Sequence, residues 1–238
     1  MRNISKTQDE LIKAMADFVV TRAGEAIRDH GKFSIVLSGG SSPKKLHQLL
    51  TTDSYRNKID WKNVYFFFGD ERYVPADHPD SNYLMAKNTL FDPLNITSDH
   101  IFRMNTDLSP ADGASAYEKS IADYFAGKSQ RFDLIILGLG DDAHTASLFP
   151  GTSVLQEKQA GVRSLYIEKV KMDRITLTAP LINQAHHIAF LTFGESKAEA
   201  VNHILKGEKN PTQYPAQLIA PSQGELYWFM DESAAAKI

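Results

Sequence analysis

The segment from Phe132 to Gly151 constrains the fold more than any other part of this chain. Its apolar run, Leu134-Ile135-Ile136-Leu137, stops at Gly138-Leu139-Gly140, and Asp141, Asp142 and His144 follow at once. A short run without polar alternation reads as a strand covered on both faces, as in a parallel sheet. In open α/β sheets ligands gather beyond the carboxyl ends of such strands. The first polar residues after Leu137 therefore fall where chemistry is expected.

The same pattern occurs twice more. Phe33 to Leu37 reads as a strand stopped by Ser38-Gly39-Gly40-Ser41-Ser42-Pro43, and Val64 to Phe68 as a second buried strand ending at Gly69-Asp70-Glu71-Arg72. Segments of helical spacing separate these runs. Thr7 with Glu10 makes a capping-box pattern before a helix that carries Leu11, Met15, Phe18 and Val19 and ends near His30-Gly31. Pro43 suits the first turn of a helix with Leu46 and Leu49, another helix runs through Tyr83 to Leu90, and Ser109-Pro110 opens a further one through Phe125. Further strands are predicted over 162–167, 174–178, 187–193 and 225–230, with a helix over 195–205. Strands alternating with helices predict an α/β fold: a mostly parallel, doubly wound, Rossmann-like sheet with helices on both faces. One domain over 1–238 is expected, with room for a small excursion after residue 150.

The totals remove several classes of function. A net charge of −3 gives no electrostatic case for a nucleic acid or an anionic membrane as partner. With no cysteine, thiolate chemistry and cysteine-bound metal are excluded. No stretch is apolar enough to span a bilayer, and the N-terminus lacks the apolar core of a signal peptide, so a cytoplasmic protein is expected.

The loop Gly39-Gly40-Ser41-Ser42 joins a strand to a helix, a place where backbone N–H groups and the helix dipole favour an anion. It matches neither a dinucleotide fingerprint nor a Walker loop, and a tight turn without a ligand looks much the same. Asp70, Glu71 and Arg72 offer carboxylates and a cation at a neighbouring strand end, with only one of the two acids expected to face the site. His144 is the foremost candidate for acid–base work, and Asp142 is placed to orient its ring or to accept from a sugar hydroxyl. Lys197 opens a helix against its dipole, a cost offset if it holds an anion. Arg174 is a second candidate clamp. His186 and His187 are adjacent and face opposite sides of a strand, so they make no chelating pair. With no His-x-x-x-His pattern, no catalytic metal is expected.

Taken in order, six segments resemble the 6-phosphogluconolactonase family, within the wider glucosamine-6-phosphate isomerase/6-phosphogluconolactonase superfamily. They are Ser38 to Pro43; Gly69 to Pro75 with Ser81-Asn82-Tyr83; Leu137 to Gly151; Arg174 to Thr178; Gly194 to Ala198; and Pro215 to Leu218. The resemblance covers nearly the whole chain and implies hydrolysis of a phosphosugar lactone, 6-phospho-D-glucono-1,5-lactone, without metal or cofactor. It implies His144 as general base on water, with Gly39, Gly40, Ser41, Ser42 and Lys197 for the phosphate, aided by Arg174. Arg72 is implied for the oxyanion or the phosphate, and Asp70 for hydroxyls or for tuning His144. Oligomeric state is left open, and a monomer is compatible.

One departure stands out: the family's usual Asp-Gly-His is Asp142-Ala143-His144 here. A positive φ at Ala143 implies about 1 kcal/mol of strain, whereas a glycine kept only for room implies a slightly narrower pocket. The related deaminases carry a glutamate where this chain has Phe149, which disfavours aminosugar-phosphate isomerase or deaminase chemistry. A phosphosugar sensor without turnover is the other alternative.

Overall fold

The computed structural model describes residues 1–238. Nine strands and seven α-helices alternate along it: β1 (Arg2–Ser5), α1 (Gln8–His30), β2 (Phe33–Leu37), α2 (Ser41–Leu50), β3 (Val64–Phe68), β4 (Asp70–Arg72), α3 (Asn82–Ala86), α4 (Asp92–Leu94), α5 (Pro110–Phe125), β5 (Leu134–Leu137), β6 (Val162–Ile167), β7 (Met172–Leu177), α6 (Ala179–Ile182), β8 (His187–Thr192), α7 (Ala198–Leu205) and β9 (Glu225–Asp231). The expected capping box is formed, with Thr7 and Glu10 satisfying each other's backbone N–H groups at the start of α1. A π-helical turn, Lys87–Phe91, joins α3 to α4.

Six strands form one sheet in the order β1-β9-β8-β5-β2-β3. Every neighbouring pair in it is parallel. Strands β2, β3, β5 and β8 are almost entirely buried, as their largely apolar sequences require. The chain winds outward from β2 to β3 in one direction and from β5 to β8 and β9 in the other. The topological switch point thus lies between β2 and β5, and the crevice beyond their carboxyl ends is where an α/β sheet takes its ligand.

Two expected strands sit elsewhere. Strands β6 and β7 do not join the parallel sheet: they pair antiparallel with each other, and β7 pairs antiparallel with β4 in a second sheet ordered β4-β7-β6. The segment 70–72, read as a loop end from the sequence, is therefore a strand. Three residues are too short a run to show an alternation. The second sheet is what turns the segment after β3 toward the crevice.

The edge strand β3 is tied down along its outer side. His100 Nδ1 lies 2.8 Å from the Val64 carbonyl oxygen, and Phe102 N–H donates to that of Phe66 at 2.9 Å. The Tyr117 hydroxyl of α5 accepts from Phe68 N–H at 2.7 Å and lies 3.1 Å from the Phe68 oxygen. Complete burial pushes the Tyr117 phenol well up from its ordinary pKa. Tyr117 thereby fixes the last residue of β3, two positions before Asp70.

Candidate active site

A cleft of about 260 Å³ opens at the switch point, lined by the loops after β2, β5 and β8 and by β4 and β7. His144 stands on the loop after β5. Its Nδ1 lies 2.5 Å from Asp142 Oδ1, and the same oxygen accepts the His144 backbone N–H at 3.2 Å. This assigns the proton to Nδ1 and leaves Nε2 as the nitrogen with a free lone pair. The ring stacks on Phe149 at 3.9 Å between centroids. A Cβ at position 140 would overlap the imidazole, so Gly140 is what lets the ring lie against its own loop. Asp142 is held well below the usual carboxylate range: burial opposes this, but hydrogen bonds from His144 and Lys169 outweigh it.

Ala143 has φ +62° and is buried. The departure from glycine therefore carries left-handed strain of about 1 kcal/mol, which the fold tolerates. The loop is anchored next to it by Ala216 N–H donating to the Ala143 oxygen at 3.0 Å and by Thr145 Oγ1 donating to the Gly138 oxygen at 2.9 Å.

Alternation along β4 separates Asp70 from Glu71. Asp70 and Arg72 point one way, into the cleft. Glu71 points the other way and is buried, accepting the backbone N–H groups of Arg72, Asn82 and Tyr83 at 2.7–2.8 Å and the Ser81 hydroxyl at 3.2 Å. Burial raises its pKa, with those backbone bonds opposing. Glu71 thus fastens the start of α3 and takes no place in the cleft. Asp70 accepts from Ser147 Oγ at 2.7 Å and from Asn82 Nδ2 at 3.3 Å.

Arg72 and Arg174 are direct partners across β4 and β7, so their guanidinium groups share a face. Arg72 Nη1 donates to the backbone carbonyl oxygen of Asp80 at 2.7 Å. Arg174 is buried, its Nε has no partner, and its pKa is lowered from the ordinary value. Burial is the main cause; Asp70 opposes it and Arg72 adds to it. Two cations side by side, one with an unused donor, form a wall suited to an electron-rich oxygen.

At the other end, the N-cap Gly40 of α2 gives no side-chain hydrogen bond and the first turn carries no acid. The N–H groups of Ser41 and Ser42 are left to the cleft. Lys45 of α2 lies over the Phe193 ring, which brings this helix start toward the segment after β8. There Lys197, in a 3-10 turn before α7, pairs with Asp141. The structure thus brings Gly39, Gly40, Ser41, Ser42, Asp70, Arg72, His144, Arg174 and Lys197 around one cleft, with Asp142 behind His144.

Two further lining residues are not among the expected site residues, although Asn82 falls within the Ser81-Asn82-Tyr83 segment of the resemblance. Asn82 is buried, occupies the space a Cβ on Gly39 would need, and leaves Oδ1 without a partner. Thr192, the last residue of β8, is buried with its hydroxyl unpaired. No cluster of three His, Cys, Asp or Glu side chains has the geometry to hold a metal ion, and no helix is long and apolar enough to cross a membrane.

The model of a family described as glucosamine-6-phosphate isomerases/6-phosphogluconolactonase matches residues 6–228. The chain belongs to this family. It is 42% identical over 233 residues to a 6-phosphogluconolactonase of Synechocystis sp., covering 96% of this chain and 94% of the relative. It is 39% identical to another of Nostoc sp., covering 97% and 95%. The solved 6-phosphogluconolactonase of Trypanosoma cruzi superposes with a TM-score of 0.88 at 29% identity, over 100% of this chain and 96% of that one. The Phe149 ring fills the space beside His144, so no carboxylate from residue 149 reaches the imidazole.

Proposed function

We propose that this protein hydrolyses 6-phospho-D-glucono-1,5-lactone to 6-phospho-D-gluconate, the lactone-opening step of the oxidative pentose phosphate pathway. The observation that carries the reading is the His144–Asp142 pair, set in the cleft between an uncapped helix start with Lys197 and the Arg72–Arg174 wall. The substrate's phosphate binds the N–H groups and hydroxyls of Ser41 and Ser42 with Lys197 as counter-ion. Asp70 accepts from ring hydroxyls. His144 Nε2 takes a proton from water as the water oxygen attacks the lactone carbonyl carbon, and Asp142 stabilises the imidazolium that forms. Arg72 and Arg174 stabilise the oxyanion of the tetrahedral intermediate. When the ring C–O bond breaks, the imidazolium returns its proton to the departing oxygen. The carboxylic acid product then loses its proton to solvent. No step of this scheme calls for a metal or cofactor.

The aminosugar-phosphate alternative is not favoured, because Phe149 offers no acid or base. The test is proton release after adding freshly made lactone, with a chelator present, against the spontaneous rate. The expected result is clear acceleration by the wild type and a fall of about 10²- to 10⁴-fold in His144→Ala. A folded wild type that binds phosphosugar without accelerating hydrolysis would move the sensor reading to the front.

A further inference from the structure

Lys169 lies outside the cleft and yet reaches the catalytic pair. It sits on the turn Glu168–Val170 between β6 and β7, and its Nζ donates to Asp142 Oδ2 at 2.6 Å. Asp142 spends its other oxygen on His144. The side chains therefore form a line of charge: ammonium, carboxylate, imidazole. Lys169 lines a separate groove on the far side of Asp142, together with Phe149 and Tyr166, and it does not line the cleft itself.

The turn is built to hold this placement. Ile167 and Met172 close the β6–β7 pairing on either side of it, and Lys171 takes the left-handed conformation at φ +48° with its N–H on the Glu168 oxygen. Asp142 keeps its aim at His144 without Lys169, because the backbone N–H of His144 also binds Oδ1. What Lys169 adds is charge. A carboxylate this close to an imidazole favours the imidazolium, which is useless as a base; a cation on the carboxylate's other oxygen offsets that bias.

We infer that Lys169 is a positioning residue of the His144–Asp142 pair, keeping the imidazole neutral and available as a base at lower pH than Asp142 alone would allow. The inference rests on His144 being the base, as proposed above. The other charges around the pair are Asp70 and Arg72 of β4, Arg174 of β7, Lys197 with its partner Asp141, and Glu168, which lines the groove with Asp142 and Lys169. None of them is hydrogen-bonded to Asp142, whose side-chain partners are His144 and Lys169.

The experiment is an NMR titration of the His144 ring in the intact protein, wild type against Lys169→Met and Lys169→Arg, with the pH profile of kcat/KM alongside. In Lys169→Met the ring's midpoint moves to higher pH by about half to one unit, an effect scaled to a solvent-exposed charge a few ångströms beyond the carboxylate. The acid limb of kcat/KM moves with it, while the high-pH plateau and KM stay within about twofold of wild type. Lys169→Arg restores the wild-type midpoint, and 1 M salt narrows the gap between wild type and Lys169→Met. An unmoved ring midpoint in Lys169→Met, or an equal shift in Lys169→Arg, overturns the inference. A ring that shifts without the kinetic limb keeps the Lys169 coupling and instead removes His144 as the base.

Discussion

Two histidine–aspartate pairs flank the same central strand. Beyond the carboxyl end of β5, His144 meets Asp142 at 2.5 Å; at its amino end, His30 Nε2 meets Asp133 at 2.9 Å. Distance alone does not tell them apart. Their surroundings do. Asp133 is buried and spends its second oxygen on both Ser34 N–H and Ser34 Oγ, each at 2.7 Å, so it rivets β5 to β2 and to the last turn of α1. Its imidazole partner is partly exposed, beside Arg22, His186 and His187. His144 instead faces a cleft with cations at two ends and keeps one ring nitrogen free. On the function proposed above, His144–Asp142 is the pair that works as catalytic machinery, because it stands at the carboxyl edge of a parallel sheet, where a substrate fits.

This contrast can be broken by moving the lesion from one end of β5 to the other. The largest effect on turnover is expected from His144→Ala, as above, whereas His30→Ala should leave turnover within about twofold, read in the same proton-release assay. Conversely, Asp133→Ala should cost about 2–3 kcal/mol in urea unfolding, since it orphans Ser34 N–H in the core, with little change in the kcat of the folded protein. If Asp133→Ala removed turnover from a fully folded protein, the division into a structural and a catalytic pair would fail.

Acid sharpens the comparison further. The Asp142 carboxyl is held below its ordinary pKa, so the stability it contributes is fully present above about pH 4 and is lost as pH falls through the folded value. In denaturant unfolding, wild type should therefore exceed Asp142→Asn in stability near pH 6, and the gap should close as pH is lowered toward 2. A gap independent of pH would mean that the carboxylate's charge contributes nothing. The smallest effect concerns the backbone beneath the pair. His30 ends α1 and Asp133 immediately precedes β5, neither at positive φ, while the His144 loop bends through Ala143 and Ala146, both at positive φ. Ala143→Gly should relieve up to about 1 kcal/mol of strain, visible as a slightly higher denaturant midpoint. A lower midpoint would show that packing of the buried methyl outweighs the strain.

How far the sequence foretells this molecule depends on how local each feature is. The buried runs of β2, β3 and β5 and their glycine stops are local, and they lead to the parallel sheet and to His144, Asp142 and the Ser41–Ser42 loop. The second sheet is not local: β4 has three residues and finds β7 about a hundred positions later, so nothing within 70–72 separates Asp70 from Glu71 except a pairing the sequence does not display. Lys169 is 27 residues from Asp142, and its ordinary hairpin carries no mark of where the turn will point. Asn82 lies within a recognised motif, but its role depends on the space left by Gly39 in another loop.

The outer side of β3 has a consequence for the protein in a crowded solution. An edge strand normally offers a free row of donors and acceptors to any extended chain that drifts past, which is how sheets recruit copies of themselves. Here a histidine ring, one short backbone contact and a tyrosine hydroxyl have already taken the carbonyls of Val64, Phe66 and Phe68. Losing Tyr117 would therefore do more than loosen the approach to Asp70. It would reopen a sticky end, and the first sign would be fibre-forming or precipitating protein rather than slower chemistry.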